Sequence, residues 1–78
     1  MKLPRDISAA RLVLTLKSLG YRSALQRGNH IRLRDPSYPA YTVTFLNRGP
    51  LEMRTLRGVI LAVAKSRFVP VESIIVLL

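Results

Sequence analysis

The stretch from Gln26 to Arg34 holds the residue types best suited to chemistry. His30 is the only histidine among 78 residues. It follows the pair Gly28–Asn29, which is typical of a tight turn, and it opens a run in which apolar and basic residues alternate. An imidazole can accept a proton near neutral pH, and neighbouring guanidinium groups can bind the oxygens of a phosphate. The stretch therefore indicates a reaction on a phosphodiester.

RNA is a phosphodiester that carries its own nucleophile. Each of its phosphates lies beside a 2′-hydroxyl that can act as the nucleophile, so a catalyst must remove one proton, stabilise the phosphoryl oxygens and hold the phosphate in line. We expect His30 to take the proton. Nearby basic residues and the hydroxyl groups of a later predicted strand would bind the phosphate and the sugar. The candidate RNA-binding residues are Arg27, Arg32, Arg34, Thr42 and Thr44.

No metal site or cofactor site is predicted. The chain has no cysteine, and its four acidic residues are isolated from one another along the sequence. A divalent cation needs several oxygen, nitrogen or sulfur ligands close together. The expected cleavage is therefore independent of metal ions and cofactors. The four acidic residues are Asp6, Asp35, Glu52 and Glu72.

The charge of the chain favours a polyanionic partner. Thirteen lysines and arginines stand against four acidic residues, which gives a formal net charge of +9 and an isoelectric point near 11.5. The basic residues are spread along the whole chain, as on the charged face of a folded domain. Nucleic acid, an acidic membrane surface and an acidic protein are all candidate partners on this ground.

The sequence shows no pattern typical of membrane attachment. Its longest apolar runs, 58–64 and 74–78, are far shorter than the ~20 residues of a spanning helix. No basic amphipathic helix carries aromatic anchors, and no targeting segment is visible before Asp6. These features predict one domain over residues 1–78 that does not contact a membrane. We expect it to be cytoplasmic, because a chain without cysteine fits a reducing compartment.

Local patterns predict the elements that would position His30. Apolar residues at helical spacing predict a helix over 9–19, which Ser8 would cap and Gly20 would end. Alternating patterns on either side of Gly28–Asn29 predict a hairpin in which His30 begins the second strand. The predicted strands cover 21–27, 30–34 and 40–46, with a proline-containing turn over 35–39, a helix over 55–65 capped by Thr55, and a short C-terminal helix.

The predicted strands would form one antiparallel sheet with two different faces. Such a sheet can carry helices on one face and leave the other face in water, which gives an α+β domain of order α-β-β-β-α with a short C-terminal element. The residues expected on the buried face are Leu25, Ile31, Leu33, Tyr41, Val43 and Phe45. Those expected on the open face are Arg22, Gln26, His30, Arg32, Arg34, Thr42 and Thr44.

Five short motifs occur along the chain in a specific order. In that order and spacing they resemble the HicA (YcfA-like) toxins of bacterial toxin–antitoxin systems over most of the chain. The motifs are Lys2-Leu3-Pro4-Arg5-Asp6-Ile7-Ser8, Leu16-Lys17-Ser18-Leu19-Gly20-Tyr21, Arg27-Gly28-Asn29-His30-Ile31-Arg32-Leu33, Thr42-Val43 and Thr55-Leu56-Arg57-Gly58-Val59-Ile60-Leu61.

The resemblance implies a fold and a function. The fold would be similar to that of double-stranded-RNA-binding domains, and the protein would be the toxin of a type II toxin–antitoxin system, a ribonuclease acting on mRNA. The resemblance makes His30 the catalytic residue and a HicB-like antitoxin the protein partner. Leu46 and Asn47 stand where many members of the family have a second histidine. The alternative is therefore a non-catalytic RNA-binding module of the same fold.

Overall fold

The protein is a sheet of three strands combined with three helices. The computed structural model describes residues 2–78, excluding the side chains of 25–26 and 38–41. The order of elements confirms the predicted α-β-β-β-α arrangement and the short C-terminal helix. In chain order the elements are α1 (Ala9–Ser18), β1 (Arg22–Arg27), β2 (His30–Asp35), β3 (Tyr38–Leu46), α2 (Met53–Arg67) and α3 (Val71–Ile75).

Helix α1 begins and ends where the sequence predicts, to within one residue. The hydroxyl of Ser8 accepts a hydrogen bond from the backbone N–H of Arg11 at 3.0 Å, so Ser8 is the predicted N-cap. The helix ends at Ser18, and Gly20 follows with a φ of +100°, a conformation that glycine adopts without strain.

Helix α2 begins earlier than the sequence predicts, and the prediction that Thr55 caps it is wrong. Glu52 occupies the N-cap position without a side-chain hydrogen bond, and Thr55 lies inside the first turn. The chain before the helix is fixed instead by its backbone, because the N–H of Leu51 donates to the carbonyl of Ile7 at 2.9 Å. A helix that is held in this way by tertiary contacts does not depend on a side-chain cap.

The sheet is antiparallel with β2 at its centre. The two-residue turn at Gly28–Asn29 is confirmed, although only Gly28 has a positive φ, of +59°, which is the pattern of a II′ turn. The second turn is shorter than the predicted 35–39. Asp35 Oδ1 accepts a hydrogen bond from the N–H of Ser37 at 3.0 Å, so the chain reverses at once and β3 begins at residue 38.

A β-bulge interrupts β1. Ser23 pairs with Leu33 but Leu25 pairs with Arg32, so the register skips Ala24. The regular pairing expected of a strand over 21–27 is therefore interrupted at Ala24, as in a β-bulge. The side chains of Leu25 and Tyr41, predicted to be buried, and of Gln26, predicted on the open face, lie outside the described residues.

The two predicted faces of the sheet are present. Along β2 the residues Ile31, Leu33 and Asp35 are buried, and the alternate residues His30, Arg32 and Arg34 are exposed. On β3 the same alternation buries Val43 and Phe45 and exposes Thr42 and Thr44. The buried apolar residues of the sheet belong to one hydrophobic core with residues of all three helices. The helix residues in this core are Ala9, Leu12, Leu16, Leu56, Val59, Ile60, Val63, Ala64 and Ile74.

A buried ion pair joins the end of β2 to the end of α2. Asp35 is only 1% exposed, and its Oδ2 lies 3.0 Å from Nη2 of Arg67. The same guanidinium donates a hydrogen bond to the carbonyl of Leu19 and lies 5.4 Å from the centre of the Tyr21 ring. One arginine therefore connects α1, the start of β1, β2 and α2.

No helix within residues 2–78 is long and apolar enough to cross a membrane.

Candidate active site on a cationic sheet face

The backbone of His30 is paired with a neighbouring strand on each side. His30 is the first residue of the central strand, and its Cα partners are Arg27 on β1 and Leu46 on β3. The turn before it is tied to the end of β3, because the N–H of Asn47 donates to the carbonyl of Asn29 at 2.6 Å. The side chain of His30 is exposed. An exposed imidazole on a fixed backbone is well placed to meet a ligand.

The imidazole lies in a shallow depression of the open face. Arg27, His30, Arg32 and Thr44 line this depression, which has a volume of about 230 Å³. The register explains why they meet, because Arg27 is opposite His30 and Arg32 is opposite Thr44. Two guanidinium groups and a hydroxyl beside an imidazole are the groups that would bind a phosphate and remove a proton next to it.

Two of the predicted RNA-binding residues lie elsewhere. Arg34 and Thr42 are opposite each other in the register, and Arg34 is four residues from His30, about 13 Å along an extended strand. Arg34 lines a second depression, whereas Thr42 lines a groove between β3 and α2 together with Arg54. The structure therefore brings Arg27, Arg32 and Thr44 to His30 but not the other two.

No acidic residue of the described chain lies on the open face of the sheet. Asp35 is buried on the opposite side, and the other three acids lie in the lead-in, before α2 and in α3. The pair Asp35–Arg67 is the one salt bridge recorded among residues 2–78. The exposed arginines of the sheet therefore have no carboxylate partner within the described chain.

The potential metal ligands of the described chain are not clustered as a metal ion would need. In the described part of the chain, no three histidine, cysteine, aspartate or glutamate residues come together as candidate ligands.

Sequence reasoning missed two features of this surface. Arg22 was expected on the open face but not as a binding residue, yet the bulge sets it directly opposite Arg34. Leu46 is opposite His30 and 39% exposed, so the imidazole has an apolar neighbouring position on β3. A sequence pattern alone does not locate such a bulge.

The fold and the site define a class: a small α+β domain with a single histidine on a cationic sheet face. No family model matches the chain, and no curated protein and no solved structure is significantly similar to it. Because these comparisons found no match, a proposal for the function depends on the geometry of the site and on the motifs of the sequence.

Proposed function

We propose that the protein is a metal-independent endoribonuclease that cleaves mRNA, with His30 as its catalytic residue. One observation carries the proposal: the only histidine is exposed at the start of the central strand, in a depression with Arg27 and Arg32. Among the residues that the structure describes, that face carries no acidic side chain that would repel RNA or hold a metal ion.

The proposed reaction is an internal displacement at phosphorus. His30 accepts the proton of a ribose 2′-hydroxyl, and the 2′-oxygen then forms a bond to the adjacent phosphorus while the bond from phosphorus to the 5′-oxygen breaks. The products are a 2′,3′-cyclic phosphate and a 5′-hydroxyl, whose proton comes from the imidazolium or from water. Arg27 and Arg32 stabilise the charge on the phosphoryl oxygens, and Thr44 donates a hydrogen bond to the sugar or the phosphate.

The biological role follows from the motifs. They resemble those of HicA toxins, and the order α-β-β-β-α is compatible with a fold like that of double-stranded-RNA-binding domains. In this role the protein is the toxin of a type II toxin–antitoxin system and cleaves mRNA in the cytoplasm.

A ribonuclease of this kind needs an inhibitor in its own cell, and its site suggests how one would act. The partner would be a small HicB-like antitoxin that covers His30 and sets acidic side chains against Arg32 and Arg34. Charge complementarity would speed association, and apolar contacts such as those available at Leu46 would supply affinity. Co-expression of the two proteins should give a stable complex that no longer cleaves RNA. A complex that leaves His30 accessible and still cuts RNA would rule out occlusion.

The proposal is tested by incubating the pure protein with a defined single-stranded RNA in EDTA. We expect cleavage to persist, and we expect an otherwise identical strand of 2′-deoxy sugars to resist it, because it lacks the nucleophile. Activity that EDTA abolishes and Mg²⁺ restores would contradict this mechanism.

The second candidate is a non-catalytic RNA-binding module that uses the same face. The position opposite His30 favours it, because Leu46 cannot donate a proton to the leaving oxygen. The two candidates differ in turnover: this module would bind the RNA in EDTA and leave it intact.

A further inference from the structure

We propose a second phosphate site on the open face, formed by Arg22 and Arg34, which binds a phosphate of the RNA strand remote from the one that is cleaved. This inference rests on the proposed function, because it identifies the substrate as a strand long enough to reach both ends of β2. Nothing in the sequence pattern assigns Arg22 to binding.

The two arginines face each other directly across the strands. Their Cα atoms are partners in the register, and both side chains are exposed. Like charges at such positions repel each other and destabilise the sheet. No described acidic residue is paired with either of them, since the recorded salt bridge uses Asp35 and Arg67. An anion between the two guanidinium groups would remove this repulsion.

The β-bulge is what creates the pair. In a regular hairpin in which Arg27 pairs with His30, Arg22 would be opposite the buried Asp35. Because the register skips Ala24, Arg22 moves back by one position and stands opposite the exposed Arg34. Bulges often redirect a side chain in this way beside a functional site.

The surface at the pair is concave. Arg22 and Arg34 line a depression of about 310 Å³ together with Ser23, Ala24 and Pro36. Two planar guanidinium groups on facing strands can bind the oxygens of one phosphate from both sides.

The hairpin has a pair of basic residues at each end of the open face. Arg27 and His30 lie next to the turn, and Arg22 and Arg34 lie at the far end of the same two strands. His30 and Arg34 are four residue steps apart along β2, about 13 Å. The two pairs line separate depressions, so a substrate that occupies both is a strand of several nucleotides running along β2.

The test compares two RNA lengths with Arg22→Ala. For a ten-nucleotide RNA we expect KM to rise about fivefold with kcat unchanged, the effect of one lost contact to a phosphate that does not react. For a dinucleotide with its single phosphodiester at His30, we expect no change. The matched control is Arg11→Ala, which removes an equal charge from the exposed side of α1, away from the open face. Equal effects of Arg22→Ala and Arg11→Ala on the long RNA would overturn the inference.

A binding measurement separates this inference from the proposed function. A ten-nucleotide 2′-deoxy strand is not cleaved, and its affinity can be followed against salt concentration. Arg22→Ala should lower the slope of log K against log salt by roughly 0.7, the value for one phosphate contact with a single strand, and Arg11→Ala should not. If the slopes change in this way but the wild type does not cleave RNA, the proposed ribonuclease activity is refuted and the second phosphate site is supported. RNA cleavage with an unchanged slope would refute the site alone. If the 2′-deoxy strand does not bind at all, the site is refuted, and the cleavage assay in EDTA alone decides on the ribonuclease.

Discussion

The protein uses arginine in two opposite ways, and the contrast separates its structural core from its candidate site. Arg67 is partly buried, ion-paired with Asp35 and placed over the Tyr21 ring. Arg32 and Arg34 are exposed, and no described carboxylate is paired with them. Removing a partly buried, paired guanidinium is expected to weaken folding, whereas exposed cations on a face without described acids are available to bind an anion. Net charge alone would not have distinguished the two.

The largest expected effect is on stability, at the buried pair. Arg67→Met leaves the carboxylate of Asp35 buried without its counter-ion, and we expect a loss of about 3–5 kcal/mol in the free energy of unfolding. Urea unfolding measures it. The matched variant Arg32→Met should change the same quantity by less than ~0.5 kcal/mol, because that side chain is exposed. Equal losses in the two variants would remove the contrast between the two kinds of arginine.

The second expected effect tests whether the unpaired charge of Asp35 causes that loss of stability. Asp35→Asn keeps an oxygen that can accept the hydrogen bond from the N–H of Ser37 but removes the buried charge. Combined with Arg67→Met, it should recover about half of the lost stability, since an unpaired buried charge is worse than a neutral pair. Unfolding of the double variant and both single variants gives the coupling energy. A double variant as unstable as the sum of the singles would show that the charge was not the reason.

A smaller effect is expected on binding, at the open face. Arg32→Met should lower the salt slope for a single-stranded 2′-deoxy oligonucleotide by roughly 0.7, because one phosphate contact is lost. Arg32→Lys should keep most of that slope, since the charge remains. Fluorescence anisotropy at several salt concentrations measures both. A variant with lysine that behaves like the one with methionine would indicate that guanidinium geometry, and not charge, is what binds.

The smallest effect is expected at the cross-strand pair. Arg22→Ala should leave the unfolding free energy unchanged within ~0.5 kcal/mol or raise it slightly at low salt, because repulsion from Arg34 is removed. Added salt should cancel the gain, since ions screen exposed charges. A loss above about 1 kcal/mol would mean that Arg22 supports the fold.

The sequence predicts much of this fold because its local patterns are strong. Ser8 and Gly20 delimit α1, and alternation along 30–34 separates the exposed His30, Arg32 and Arg34 from the buried side. Two of the predicted RNA-binding residues close to His30 in sequence, Arg27 and Arg32, line the same depression as His30. These features depend on neighbours in the chain, and such neighbours are visible in a sequence.

The features that the sequence does not predict depend on contacts between distant residues. The start of α2 at Met53 follows from backbone bonds with the lead-in, and the bulge in β1 follows from pairing with β2. Asp35 looked like an isolated turn residue, but its carboxylate is buried because Arg67, thirty-two positions later, lies beside it. Patterns of hydrophobicity do not report such pairings.

The most direct test of the central claim measures binding and turnover on the same preparation of His30→Ala. The charges of Arg27 and Arg32 remain in this variant, so we expect its affinity for the 2′-deoxy strand to stay within about twofold of the wild type. Its cleavage of the matching RNA in EDTA should fall by about 10²–10⁴-fold, the usual contribution of a general base. A variant that cleaves the RNA at the rate of the wild type would contradict the account, because His30 would then not be the catalytic residue.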